Sequence, residues 1–402
     1  MNAASFVFFA ASLLAGCAPL HTPFSAPSAA PLQPEAASAR VEKQGHASRS
    51  FSVAAANPLA TEAGYEILKA GGSAVDAAIA VQMVLTLAEP QSSGIGGGAL
   101  LLHFRGAGTG PTDERIEAYD GRETAPAAVD EKLFLGKDGK PIGFFDAAVG
   151  GRAVGVPGVV PMLALAHQQH GKLPWARLFA PAIRLADGGF EVSPRLHTLL
   201  LAETHLQYNP AAAAYFYNPK GQPWPVGHVL KNPELAAVLR RIAAEGPSAL
   251  QRGSIAQAMV RAVRSHPTNP GQLALADLAG YQARKRPPLC TDHDAPARPL
   301  RICGMPPPSS GAITIAQILG LLRHTPAAGL PLDKGLPSAD WLHYYTEAAR
   351  LAYADRAQYL ADPDFVPPPA GGYAALVAPG YLAERAKLIG PRSMASAPAG
   401  TP

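Results

Sequence analysis

Apolar residues recur at helical spacing from Leu59 onward. Leu59, Ala63 and Ile67, joined by Ala60 and Leu68, form one face until Gly71-Gly72 stops the pattern. Asn57 before Pro58 marks the start, because Asn accepts from the free N–H groups of a first turn and Pro there gives up no needed donor. Ser73 with Asp76 opens a second helix running to about Leu87, whose Ala, Val, Ile, Met and Leu residues leave almost no polar face. That helix is expected to be buried. A polar, glycine-rich turn, Glu89 to Gly98, then leads to a strand over Ala99 to Phe104 and a second over Ile116 to Asp120, closed by Gly121-Arg122.

Farther along, Gly155-Val156-Pro157-Gly158 precedes a helix over Val159 to His170. More helices are predicted over Leu178 to Asp187, Asn232 to Ala244, Ile313 to Leu322 and Tyr344 to Tyr359. Arg284-Lys285-Arg286 reads as a solvated turn, since no aromatic residues interleave it as a nucleic-acid surface would require. The tail from Ser393 to Pro402 has the Ala, Pro and Ser composition of a linker.

Within the glycine turn, Gly94, Gly96 and Ala99 match the spacing of a dinucleotide-binding fingerprint, but the context excludes that reading. The fingerprint needs a strand before it and a helix after it, the reverse of what stands here. Close backbone packing is the alternative, because glycine allows approach without a side-chain clash. No run of His, Cys and carboxylates has the spacing of a metal site, and the twelve histidines are dispersed. There is no G-x-S-x-G, and the Ser92-Ser93 and Ser309-Ser310 pairs have no base nearby in sequence.

Composition narrows the class. Of 402 residues, 48% are apolar and 16% charged, which excludes a disordered or collagen-like chain and supplies a core. The net charge of +4 is scattered, so nucleic acid is not an expected partner. Beyond the first 20 residues no apolar run is long enough to span a bilayer.

Phe6 to Leu14 has the length of a signal-peptide core, and Leu14-Ala15-Gly16-Cys17 follows it. This resembles the bacterial lipobox, with residues 1–17 a lipoprotein signal peptide and lipobox, which implies a diacylglycerol on Cys17 and a cleavage just before it that leaves Cys17 as the new N-terminus. An ordinary secretory signal is the alternative. Ala18 after the cysteine implies the outer membrane of a Gram-negative cell, facing the periplasm. Residues 18–49, rich in Pro, Ala and Ser, form an expected flexible tether, and the folded unit is expected over 50–390, with 391–402 a linker-like tail. In an exported protein Cys290 and Cys303 can pair: their midpoint falls in the turn-like stretch Asp294 to Pro299, between short strands Pro287 to Thr291 and Leu300 to Cys303. Two separate buried thiols remain the alternative.

Seven segments in order resemble the γ-glutamyltransferase family: Gly71 to Ala78, Gly94 to Gly98, Asp120 to Pro126, Val156-Pro157-Gly158, Asp277 to Tyr281, Met305 to Gly311 and Tyr353 to Arg356. Ala312 stands where the family's turn usually has a second glycine. The resemblance implies an α+β fold, the large-subunit part of a four-layer αββα N-terminal-nucleophile hydrolase, made as a proenzyme that cuts itself in two. It implies no cofactor. The freed threonine, which opens a Thr-Thr-His stretch, would begin the small-subunit partner and attack the γ-carbonyl of glutathione or another γ-glutamyl donor. The γ-glutamyl group then passes to water or to an amino-acid or peptide acceptor. This sequence contains no Thr-Thr-His, so the chain alone is expected to be inactive.

Arg122 matches the family's arginine for the donor's α-carboxylate, a role suited to the bidentate guanidinium. A surface ion pair with Glu117, Asp120 or Glu123 is the plainer reading. Two other functions fit the same residues: a non-catalytic γ-glutamyl-binding lipoprotein, and a related acylase of the same fold.

Overall fold

The computed structural model describes residues 45, 47–106, 113–295 and 298–402. Cys17, the lipobox and most of the 18–49 tether lie outside the described residues.

The chain opens with helices α1 (Pro58–Lys69) and α2 (Ala74–Ala88). Asn57 caps α1 by accepting from Leu59 N. Ser73 and Asp76 form a reciprocal capping box on α2. Asp76 is fully buried, and its Oδ2 also accepts from Lys172 N (2.9 Å) and Leu173 N (3.0 Å). One capping carboxylate thus fixes the start of α2 and the loop after a later helix, satisfying donors that water cannot reach. Ile79, Met83 and Val84 of α2 are inaccessible, and they join Ile67, Phe179, Leu239 and Ile242 in the largest core.

Strands β1 (Ala99–Phe104) and β2 (Ile116–Gly121) pair antiparallel, with Ala99 opposite Gly121 and His103 opposite Glu117. Helix α3 (Val159–His170) packs against β2, and its Val160 and Met162 enter the core. β1 alternates cleanly. Ala99 and Leu101 pack on the core, whereas Leu100, Leu102 and Phe104 are exposed on the opposite face.

Arg284–Arg286 is a third strand, β3, on the other edge of β2, and not the solvated turn expected from sequence. Its charges are absorbed by acidic partners on neighbouring elements: Lys285 binds Glu117, and Arg286 binds Asp120 and Asp364. Strands β4 (Leu289–Ala295) and β5 (Arg298–Gly304) form a separate hairpin, longer than the sequence suggested, with Cys290 opposite Cys303 and a disulfide between them.

A second core joins helices α4 (Gly311–Leu322), α5 (Ala339–Tyr359) and α6 (Pro379–Ala386) through Leu321, Leu351 and Leu382. α5 begins five residues before the predicted Tyr344, because Ser338 caps it by accepting from Trp341 N. The tail has no regular structure but is held against this core. Buried Glu347 accepts from Ser393 Oγ (2.9 Å) and Met394 N (2.8 Å), and buried Asp355 accepts from Gly400 N (2.8 Å). Among the described residues, no helix is long and apolar enough to cross a membrane.

Candidate functional site

Arg122 is the first residue beyond β2, and its backbone is held from two sides. Asp120, nearly buried, accepts from Arg122 N through Oδ1 (2.9 Å) and from Arg286 Nε through Oδ2 (2.7 Å). Opposite, the Tyr281 hydroxyl donates to the Arg122 carbonyl (2.8 Å), while Gln251 Nε2 donates to the Tyr281 carbonyl (2.9 Å). Burial, reinforced by Asp120 and Glu123, pushes the Tyr281 phenol well above its ordinary range. It therefore stays protonated and keeps donating near neutral pH.

Glycines make this approach possible. A Cβ on Gly158 would lie 2.1 Å from the Tyr281 hydroxyl oxygen and 2.3 Å from the Gly121 carbonyl oxygen. A Cβ on Gly98 would lie 2.7 Å from both Glu123 N and Gly121 O. The Gly97 carbonyl also accepts from Gly158 N (3.0 Å) and Val159 N (3.1 Å). The glycine-rich turn and the Val156-Pro157-Gly158 turn are thus stitched together beneath the end of β2, where a side chain would separate them.

A layer of alternating charge continues from Asp120. Arg286 also donates to Asp364 Oδ2 (2.8 Å), and Arg284 donates to Asp364 Oδ1 (3.2 Å). Burial opposes the charge on Arg286, but its bonds to Asp364 and Asp120 outweigh that and raise its pKa. The same contact with Arg286 holds the Asp364 carboxyl below its ordinary value.

The Arg122 side chain is exposed and lines a cleft of about 270 Å³ with Glu123, Thr124, Tyr281 and Arg284. Of its suggested surface partners, Glu117 binds Lys285 and Asp120 binds Arg286, and Arg122 forms no ion pair among the described residues. Its charge is available to a ligand. Pro308, from the Met305 to Gly311 turn, closes one side of the cleft. The serines of that turn are occupied locally: Ser310 Oγ accepts from Arg356 Nε (2.8 Å), and Ser309 Oγ accepts weakly from Gly311 N (3.4 Å). Cys290 and Cys303 lie in the hairpin and do not line the cleft. Tyr281, Asp120 and Arg286 were not assigned roles from sequence. Tyr281 and Asp120 did stand inside segments that carried the family resemblance, which was the available signal.

The three-stranded antiparallel sheet, with α3 packed against β2, ends in Arg122 over an open cleft, and the solved structures that match the chain have the N-terminal-nucleophile hydrolase fold. The solved gamma-glutamyltranspeptidase from Pseudomonas nitroreducens, complexed with L-DON, superimposes with a TM-score of 0.75 at 33% identity, over 87% of this chain and 98% of that one. The chain belongs to the gamma-glutamyltranspeptidase family, matching it over residues 60–401. It is 34% identical over 353 residues to the glutathione hydrolase proenzyme of Bacillus subtilis strain 168, covering 86% of this chain and 56% of that protein. It is 37% identical over 340 residues to the acylase ACY 1 proenzyme of Pseudomonas sp. strain V22, covering 83% and 57% respectively. The chain thus spans about half the length of the curated relatives it matches.

Proposed function

We propose that this chain is the large-subunit portion of a γ-glutamyltransferase and glutathione hydrolase, and that Arg122 grips the α-carboxylate of the γ-glutamyl donor. The observation that carries the reading is the exposed Arg122 guanidinium, without an ion pair among the described residues and fixed at its backbone by Asp120 and Tyr281. A guanidinium so placed offers two parallel N–H donors to a carboxylate without first breaking an internal salt bridge. The acyl-carrying threonine is supplied by a small subunit. Two findings support this: the chain spans about half the length of its proenzyme relatives, and β1 presents Leu100, Leu102 and Phe104 on an uncovered sheet face.

In enzyme reconstituted with the small subunit, Arg122→Lys should raise KM for a γ-glutamyl donor by roughly 5- to 150-fold. This corresponds to the loss of about 1–3 kcal/mol when a point charge replaces the fork. An unchanged KM would remove Arg122 from the donor site. The identity to an acylase proenzyme favours a second reading, a donor acyl group other than γ-glutamyl. A higher kcat/KM for such a donor than for glutathione would select it.

The N-terminal segment extends the proposal: lipidation at Cys17 would tether the enzyme to the outer membrane on its periplasmic side. Cys17→Ala should release the protein from the membrane fraction, and equal retention of both forms would exclude the anchor.

A further inference from the structure

At the end of β1 and β2 away from Arg122, the sheet register brings together residues that are far apart in sequence. His103 on β1 faces Glu117 on β2, and His170, the last residue of α3, lies over both. One ligand atom from each lies within 4.8 Å of the others. The two imidazoles stack with centroids 3.9 Å apart, His103 Nδ1 is 3.6 Å from Glu117 Oε2, and His170 Nε2 touches the same oxygen. All three side chains are largely but not completely enclosed.

Two features distinguish this group from an ordinary hydrogen-bonded cluster. His103 Nδ1 is a buried nitrogen with no hydrogen-bond partner, directed toward a carboxylate oxygen just beyond bonding range. The carboxylate, in turn, is already oriented: Lys285 Nζ donates to Glu117 Oε1 (2.6 Å), while Oε2 faces the two imidazoles and also accepts from the Tyr119 hydroxyl (3.2 Å). Tyr119 and Gln169 complete the surroundings. The tyrosine hydroxyl lies 2.8 Å from both Gln169 Oε1 and His170 Nε2.

We propose that His103, Glu117 and His170 bind a divalent transition-metal ion of the zinc class. Two imidazole nitrogens and one carboxylate oxygen suit zinc better than magnesium or calcium, which prefer all-oxygen shells. The Lys285 contact to the outer carboxylate oxygen serves as the orienting bond that such ligands commonly receive. The position of His170 at the end of α3 adds the negative end of a helix dipole. Three protein ligands leave a coordination position for water, and the ion would tie β1, β2 and the end of α3 together. The sequence showed no metal-site spacing because the ligands come from three elements, and only the register of β1 on β2 places the first two side by side.

The test is titration of the full chain, purified without a polyhistidine tag, with zinc chloride by calorimetry, and with cobalt(II) by visible absorption. The expected result is one ion per chain with micromolar or tighter affinity, and the absorption bands of four- or five-coordinate cobalt. His103→Ala combined with His170→Ala should weaken binding at least roughly 100-fold, through loss of two of the three ligands. His324→Ala, a histidine outside the cluster, should change nothing. Should the double variant fold poorly, Glu117→Gln keeps the side-chain shape and removes only the anionic ligand; loss of the cobalt bands with unchanged circular dichroism then supports the site. No stoichiometric binding, or binding retained by a folded variant, would overturn it. Either failure leaves the reading of the Arg122 cleft untouched.

Discussion

Asp120→Ala is the perturbation that most directly probes how the fold holds the cleft. The carboxylate is 6% exposed and serves two donors, Arg286 Nε and Arg122 N. Losing the charge-assisted bond to Arg286 should cost about 1.5–3 kcal/mol. Arg286 keeps Asp364, so no unpaired charge is stranded, and the loss stays below the roughly 3–5 kcal/mol of a buried ion stripped of its only partner. The backbone N–H of Arg122 belongs to an exposed residue that water can reach, which adds only about 0.5–1 kcal/mol. The sum is about 2–4 kcal/mol. At about 2 °C per kcal/mol for a chain of this size, the thermal midpoint should fall by about 4–8 °C. Asp120→Asn should fall less, because its oxygen can still accept from Arg122 N while its amide nitrogen faces the Arg286 Nε–H. Differential scanning calorimetry reads both, and donor KM in the reconstituted enzyme should rise in the same order. A shift under about 1 °C with unchanged KM would refute the idea that Asp120 fixes the strand end.

Gly158→Ala should destabilise the protein by about 1–3 kcal/mol through overpacking. It should also raise donor KM, because the new methyl occupies the path of the Tyr281 hydroxyl; a thermal midpoint and KM equal to the parent's would show that the turn can yield. Asp355→Ala should cost about 3–5 kcal/mol, since it strips a partner from the buried Arg385 and also abandons Gln317, Tyr381 and Gly400 N. It should release the tail, so limited proteolysis should cut within 393–400 sooner than in the parent, and an unchanged cleavage rate would contradict the docking contacts.

The helices were legible because their signals are local. Asn57, Ser73 and Asp76 name their own caps, and the nearly all-apolar face of α2 announces burial. The β4–β5 hairpin was legible for the same reason, since the cysteines flank a turn symmetrically. What stayed hidden depends on residues distant in sequence. Arg284-Lys285-Arg286 looks like a solvated turn until β2 supplies both the backbone partners and the carboxylates that neutralise it. The tail has a linker's composition because backbone groups and one serine hydroxyl make the docking bonds, and its acceptors, Glu347 and Asp355, lie on a helix more than thirty residues earlier. Arg122 could be singled out from sequence, but its freedom from an ion pair could not. That follows from Asp120 and Glu117 being taken by β3.

In the proposed enzyme this chain carries the carboxylate-gripping cleft, and the nucleophile comes from a partner subunit. Release of the chromophore from a γ-glutamyl anilide tests it most directly, measured for the purified 402-residue chain alone and after co-expression with a small subunit beginning Thr-Thr-His. The chain alone should show no turnover, and the complex should hydrolyse the anilide and lose activity when the leading threonine is replaced by alanine. Turnover by the isolated chain, or by a complex lacking that threonine, would contradict it.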